Sequence, residues 1–276
     1  MRIQTVFVAL LAFGLAAPLA AGPIALELSL VIDVSGSIDT TEYNLQRAAY
    51  AGAFNLPSIQ ATIAGLNGGV AINVIQFDSS SFTALPWTLL TDNASVSAFA
   101  SSLASMPRQG SNGGTNIIAG MNASLASFAA NSYQGSRMVM DVSGDGEQNQ
   151  QGCQSSDTVC AALLAVRDNA ATAGITVNGL PILASAPGLA AYYQSNVITP
   201  GGFLKVSADF ASFEAAIGSK LYQEISGQAP PNGDVPEPGT SALLGLGLAA
   251  LVAVRNAAKV ERQKPQVRAG FSRYGV

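Results

Sequence analysis

The segment Ala25-Leu-Glu-Leu-Ser-Leu-Val-Ile32 is nearly continuous in apolar residues and is followed at once by Asp33. A strand with one wet face alternates apolar and polar residues. An almost unbroken run reads instead as a strand buried on both faces, the habit of parallel sheets. Parallel strands need long crossovers, usually helical, so this run already implies helices above and below a sheet. Val70-Ala-Ile-Asn-Val-Ile-Gln-Phe77 is a second such run, and Arg137-Met-Val-Met-Asp-Val-Ser143 and residues 175–182 are two more. Residues 82–89 read as an edge strand because Pro86 suits an edge, and residues 203–206 as a short strand. The stretches between them carry helical patterns. Asp39-Thr-Thr-Glu42 forms a capping box for a helix to about Phe54. Further helices are expected over residues 94–105, 116–130, 158–173 and 209–225. This alternation predicts an α/β fold: a doubly wound, mostly parallel central sheet with helices on both faces. Ligands of such sheets sit at the carboxyl ends of the strands, where strand order reverses. Functional residues are therefore expected just after the first and the fourth strands of the core.

Composition removes several function classes. The chain contains no histidine, which excludes Ser-His-Asp and Cys-His triads, His-ligated zinc or haem, and any histidine pH switch. Charged residues make up 11%, against about 25% in average soluble domains. The formal net charge of −4 disfavours nucleic acid as a partner. That charge is unevenly placed. Residues 24–232 hold six basic and 14 acidic side chains, a net of −8, whereas six basic residues crowd into the last 22 positions. A folded acidic body followed by a basic tail is the expectation.

The two ends read as addresses. Met1-Arg2 precedes an uncharged stretch through residue 26 with small residues at Ala20, Ala21 and Gly22, the pattern of a secretory signal peptide over residues 1–22. Near the other end, Pro236-Glu237-Pro238 is followed by an uncharged stretch to Val254 and then Arg255. This arrangement resembles the PEP-CTERM sorting signal, which implies recognition and processing by an exosortase-type membrane protease. Within the apolar segment, residues 239–254, a helix from Thr240 to Val254 would span roughly 22 Å, short of the ~30 Å hydrocarbon core. That length suits transient membrane association, with a single-span tail anchor as the alternative. Residues 255–276 form the basic tail, and residues 228–238 a Pro-rich linker. What remains, residues 23–227, is enough for one domain. Cys153 and Cys160 are its two cysteines, and an even count in an exported chain predicts a disulfide that pins a local loop.

Candidate ligands gather where the fold places a site. Asp33-Val34-Ser35-Gly36-Ser37 directly follows the first strand. Gly113-Gly114-Thr115-Asn116 opens a helix, and Ser143-Gly144-Asp145-Gly146 follows the fourth core strand. These three segments resemble the metal-ion-dependent adhesion site (MIDAS) of von Willebrand factor A (vWA) domains, over roughly residues 25–226, and most closely an exported bacterial family of unassigned function. The resemblance implies that Ser35, Ser37 and Thr115 coordinate a divalent cation directly, with Asp33 and Asp145 binding it directly or through water. Asp141, four residues before Asp145, competes for the last position; only Asp145 clears the strand end. The donor chemistry agrees: three hydroxyls and two carboxylates are hard oxygen ligands suited to Mg²⁺ first, then Mn²⁺ or Ca²⁺. Residues from Asp141 also resemble an EF-hand loop, but its twelfth position is Gly152, where a bidentate Glu is required.

Two carboxylates balance a divalent charge, and an open coordination position would accept a carboxylate from a partner. The expected function is thus an exported binding protein, at the cell surface or in the extracellular matrix, that captures an acidic group on a protein or polysaccharide. An enzyme is not expected: there is no nucleophile elbow, no Ser-x-x-Lys and no P-loop. The alternatives are a structural matrix protein with a degenerate metal site, and a metal-dependent hydrolase.

Overall fold

The computed structural model describes residues 23–154, 157–184 and 186–230. The expected signal peptide, the sorting segment 239–254 and the basic tail lie outside them.

β1 (Leu26–Asp33) is buried at every position. Its two polar interruptions are satisfied. The Glu27 carboxylate accepts from Gly135 N at 2.7 Å and Asn131 Nδ2 at 2.8 Å, and Ser29 Oγ accepts from Ser124 Oγ at 2.7 Å. The chain then alternates as expected. α1 (Thr40–Phe54) and α2 (Pro57–Gly65) lead to β2 (Val70–Phe77), also buried throughout, and to β3 (Ser81–Leu90). α3 (Asn93–Ser105) and α4 (Ile117–Ala130) precede β4 (Met138–Gly144), and α5 (Ala161–Thr172), β5 (Ile175–Pro181), α6 (Leu189–Asn196) and α7 (Phe213–Ser226) complete the order.

The five strands are ordered β3-β2-β1-β4-β5. β1 pairs in parallel with β2 on one side and β4 on the other, and β5 extends β4 in parallel. Only β3 is antiparallel, and it forms the edge that Pro86 predicts; its register with β2 shifts on either side of Val74. Strand alternation divides the core in two. Leu28, Leu30, Ile32, Ile72 and Val74 face a layer holding Tyr50, Phe54, Phe99, Phe213 and Leu221. Val31, Ile75, Phe77, Met140 and Val142 face one holding Ile117, Met121, Leu163 and Tyr193. Burying both faces of the sheet is the reason the strands carry apolar runs rather than alternation.

Several boundaries differ from the sequence expectation. α2 and α6 were not anticipated. Both are short, and neither has a side-chain cap, although Pro57 at the start of α2 is a usable local signal. α5 begins at Ala161 rather than 158 because Cys160 takes the N-cap position, its Sγ accepting from Leu163 N. α7 begins at Phe213 rather than 209 because Asp209 closes a separate turn, accepting from Ser212 N at 2.8 Å. Residues 203–206 form no strand. The segment meets β5 through one isolated bridge, Gly179 with Leu204, and through Phe203 N donating to Asn178 Oδ1; a second bridge just beyond, Ile182 with Ser207, continues the cover of this sheet edge. Cys153 and Cys160 are joined, as expected, but both are buried in the second core layer rather than lying at the surface.

None of the described helices is long and apolar enough to cross a membrane.

Candidate metal centre

β1 and β4 are neighbours in the sheet, and their connections leave in opposite directions, so a crevice opens at their carboxyl ends. Three loops converge there. The first follows β1: Asp33 is its last residue, and Asp33 Oδ1 accepts from Ser35 N at 2.8 Å, turning the chain sharply out of the strand. Ser35 and Ser37 then sit with their hydroxyl oxygens 3.2 Å apart. The second loop brings Thr115, whose Oγ1 donates to Ser35 Oγ at 3.2 Å. The third follows β4 and brings Asp145, whose Oδ1 accepts from Ser37 Oγ at 2.7 Å. All five residues singled out from the sequence therefore meet in one place. Close approach of these loops depends on glycines. A Cβ at Gly36 would lie 2.7 Å from the Asn112 carbonyl oxygen, and one at Gly146 would lie 2.7 Å from Thr115 Oγ1.

Asp141 is elsewhere. It points from the middle of β4 toward α7, fully buried, with Lys220 Nζ 2.5 Å from its Oδ1. Of the two competing aspartates, only Asp145 joins the cluster.

Three residues that the sequence reading passed over hold these loops. Asp78, just past β2, accepts from Ser80 N, Ser111 N and Gly113 N. Asn149 clasps Thr115 in both directions, with Oδ1 accepting from Thr115 N at 2.9 Å and Asn149 N donating to Thr115 O at 3.0 Å. Arg108 Nη2 donates to the carbonyls of Val34 and Ser35, each at 2.9 Å. Asp78 had a legible signal, since it follows a buried strand just as the first motif follows β1. The partners of Arg108 and Asn149 are set by tertiary folding and leave no local pattern.

The electrostatics of the cluster are those of crowded acids. Asp33 is fully buried, and its Oδ2 has no hydrogen-bond partner. Burial, and then the charge of Asp145, push its pKa up to about 7, against hydrogen bonds from Ser35. Burial also raises Asp145, opposed by the bond from Ser37 and aided by the nearby Glu42. A cation relieves such a pair. Among the described residues no group of three or more His, Cys, Asp or Glu side chains converges on one point, so any metal here depends on hydroxyls. Ser35, Ser37, Thr115, Asp145, Glu147 and Asn149 line an open cleft of about 570 Å³. Ser37 is exposed at its mouth, while Ser35 and Thr115 are buried beneath.

Comparison with known proteins places this architecture. Residues 23–229 match the family described as "Protein of unknown function (DUF1194)". The chain belongs to the DUF1194 family. Residues 234–256 match the PEP-CTERM protein-sorting motif, so this DUF1194 protein carries an export and sorting signal. No curated protein is similar enough to match it. Among solved structures it is similar to proximal thread matrix protein 1 from the mussel byssus, with zinc occupying the MIDAS motif. That match has a TM-score of 0.55 and 16% identity, over 74% of this chain and 48% of that one. It is also similar to the vWF domain of the type V pili tip protein Mfa5 from Porphyromonas gingivalis, with a TM-score of 0.52 and 13% identity, over 76% of this chain and 99% of that one. A von Willebrand factor type A protein from Catenulispora acidiphila gives a TM-score of 0.51 and 17% identity, over 73% and 42%. This chain thus spans about half the length of the byssus protein. The DUF1194 domain has the vWA fold.

Proposed function

We propose that this DUF1194 protein is an exported binding protein that uses a divalent cation to capture an acidic group on a partner macromolecule. The observation that carries the reading is the convergence of five oxygen-bearing side chains at the β1/β4 crevice, with Asp33 Oδ2 buried and unpartnered among them. Asp33, Ser35, Ser37, Thr115 and Asp145 would hold the ion. All are hard oxygen donors, which suits Mg²⁺ first and Mn²⁺ or Ca²⁺ next. When bound, the ion supplies an electrophilic position open to the cleft, where a carboxylate from a protein or a polysaccharide can complete its coordination. The chain's own part is to hold the oxygens in place: Asn149 fixes Thr115, Arg108 ties the Ser35 backbone, and Asp78 fixes the loop before Thr115.

The sorting motif supports processing by an exosortase-type protease and delivery to the cell surface or matrix. The zinc-occupied MIDAS of the byssus protein and the pilus-tip position of Mfa5 support a metal-dependent, adhesive reading over turnover. A second reading, a structural matrix protein whose site binds no ion, draws on the byssus protein being a thread matrix protein. Calorimetric titration of Mg²⁺, Mn²⁺ and Ca²⁺ into the protein separates the two. One saturable site, lost in Asp33→Ala and Ser37→Ala, is expected. Absence of any cation binding overturns the metal-dependent reading and leaves the structural one.

A further inference from the structure

Away from the cleft, three ionisable side chains meet in the layer between β4 and α7. Lys220 and Glu224 lie one turn apart on α7, and Asp141 projects from β4. The side chains of all three are buried. Lys220 Nζ is 2.5 Å from Asp141 Oδ1 and 2.5 Å from Glu224 Oε1. The contact with Asp141 is not a regular hydrogen bond, because neither Asp141 oxygen has a partner of acceptable geometry. Asn178 Nδ2 donates to Glu224 Oε1 at 2.9 Å and so orients that carboxyl, while Asn178 Oδ1 accepts from Phe203 N. The Phe203 ring centre lies 5.7 Å from the Lys220 nitrogen, and Tyr50, packed edge to face on Phe213, is close enough to feel the charges of Asp141 and Glu224.

A charged lysine buried between two carboxylates is costly, since each ion loses most of its hydration and only one pair of charges can balance. The same arrangement is that of a nucleophile, an acyl carbon and a proton carrier already in contact, which removes the entropic part of a condensation barrier.

We propose that Lys220 and Asp141 condense to an intramolecular amide that joins α7 covalently to β4. In the step, Lys220 Nζ passes one proton to Asp141, its freed lone pair attacks Asp141 Cγ and the Nζ–Cγ bond forms. Glu224 takes a proton from Nζ and passes it to the departing hydroxyl; the Cγ–O bond breaks and one water leaves. Counted from the ion pair, the ammonium gives up two protons and the carboxylate one oxygen. No oxidant or cofactor is needed. Glu224 Oε1 lies 2.5 Å from Lys220 Nζ, which places it to take the proton that Nζ sheds; before reaction, burial and then the charge of Asp141 push its carboxyl up to about 7, against the pull of Lys220. Asn178 is not the acyl group, because both ends of its amide are engaged elsewhere. The amide replaces two buried charges with a neutral group. It also places a covalent bond between a central strand and the helix that precedes the sorting motif at residues 234–256, so tension on that end reaches the sheet through a bond rather than through packing alone.

The test is the intact mass of the full protein, purified, unfolded and reduced. A mass lower by one water than that of the sequence between the protein's determined termini is expected, and proteolysis should yield a branched peptide containing both Lys220 and Asp141. A succinimide at Asp145–Gly146 would cause the same loss without a branch, so the peptide decides. Lys220→Arg should restore the full mass while retaining the fold by circular dichroism. Glu224→Gln should leave most of the protein uncondensed. The full sequence mass in the wild-type protein, or a dehydrated product with no branched peptide, overturns the proposal.

Discussion

Asp33 and Asp141 each interrupt an apolar run, yet they end in opposite roles because of where their strands stop. Asp33 closes β1 and opens onto the crevice; Asp141 sits three residues short of the end of β4 and is drawn into an ion pair with Lys220. Asp33→Asn keeps an acceptor for Ser35 N but removes the buried charge whose Oδ2 has no partner. Because an unpaired buried charge costs stability, we expect the variant to unfold in chelator at the same temperature as the wild type or a higher one. It should lose the Mn²⁺-dependent rise in unfolding temperature; a variant that keeps that rise would exclude Asp33 from the ion. Asp78 acts differently, through three backbone N–H groups. Burial by itself would raise its pKa, and those hydrogen bonds outweigh burial and hold it below the usual carboxylate value. A folded-state pKa below the unfolded one means that the stabilisation is complete above the unfolded value of about 3.9. It is lost as pH falls through the lower folded value. Asp78→Ala should cost about 1–3 kcal/mol near neutral pH, and urea unfolding between pH 7 and 3 should show the gap to the wild type closing on the acid side.

At the scale of elements, what can be read locally is what is encoded locally. The capping box forms as the sequence implies: Asp39 Oδ1 accepts from Glu42 N and Glu42 Oε2 from Asp39 N, both at 2.8 Å. Asp39→Ala should therefore cost about 1 kcal/mol, measured as a lower urea midpoint with an unchanged denaturant dependence. The buried strands were equally legible, since an apolar run reports burial directly. α2 and α6 were not, because each is short and lacks a side-chain cap. Residues 203–206 carry strand-like composition but pair with β5 only at isolated points, and pairing depends on the neighbour rather than on the segment.

For the whole molecule, the governing fact is that β1 lies at the centre of the sheet with β2 and β4 on either side. That order creates the crevice and brings the loops of Asp33, Thr115 and Asp145 together. A cation joining them stabilises the native state alone, by about 2.7 kcal/mol at a hundredfold excess over its dissociation constant. Mg²⁺ or Mn²⁺ should accordingly raise the unfolding temperature in proportion to the logarithm of its concentration, and chelator should reverse the rise. No shift at millimolar cation would contradict the metal reading at this scale.

The sequence by itself determined the alternation of buried strands and helices, the capped start of α1, the edge character of β3 and the three short motifs that supply the oxygens. All of these are written in spacing, composition and the chemistry of neighbouring residues. The tertiary structure decided the strand order, the pairing of Asp141 with Lys220, and the grip of Asp78, Asn149 and Arg108 on the site loops. Those depend on contacts between residues far apart in the chain, for which loop closure and packing, not local propensity, select the partner.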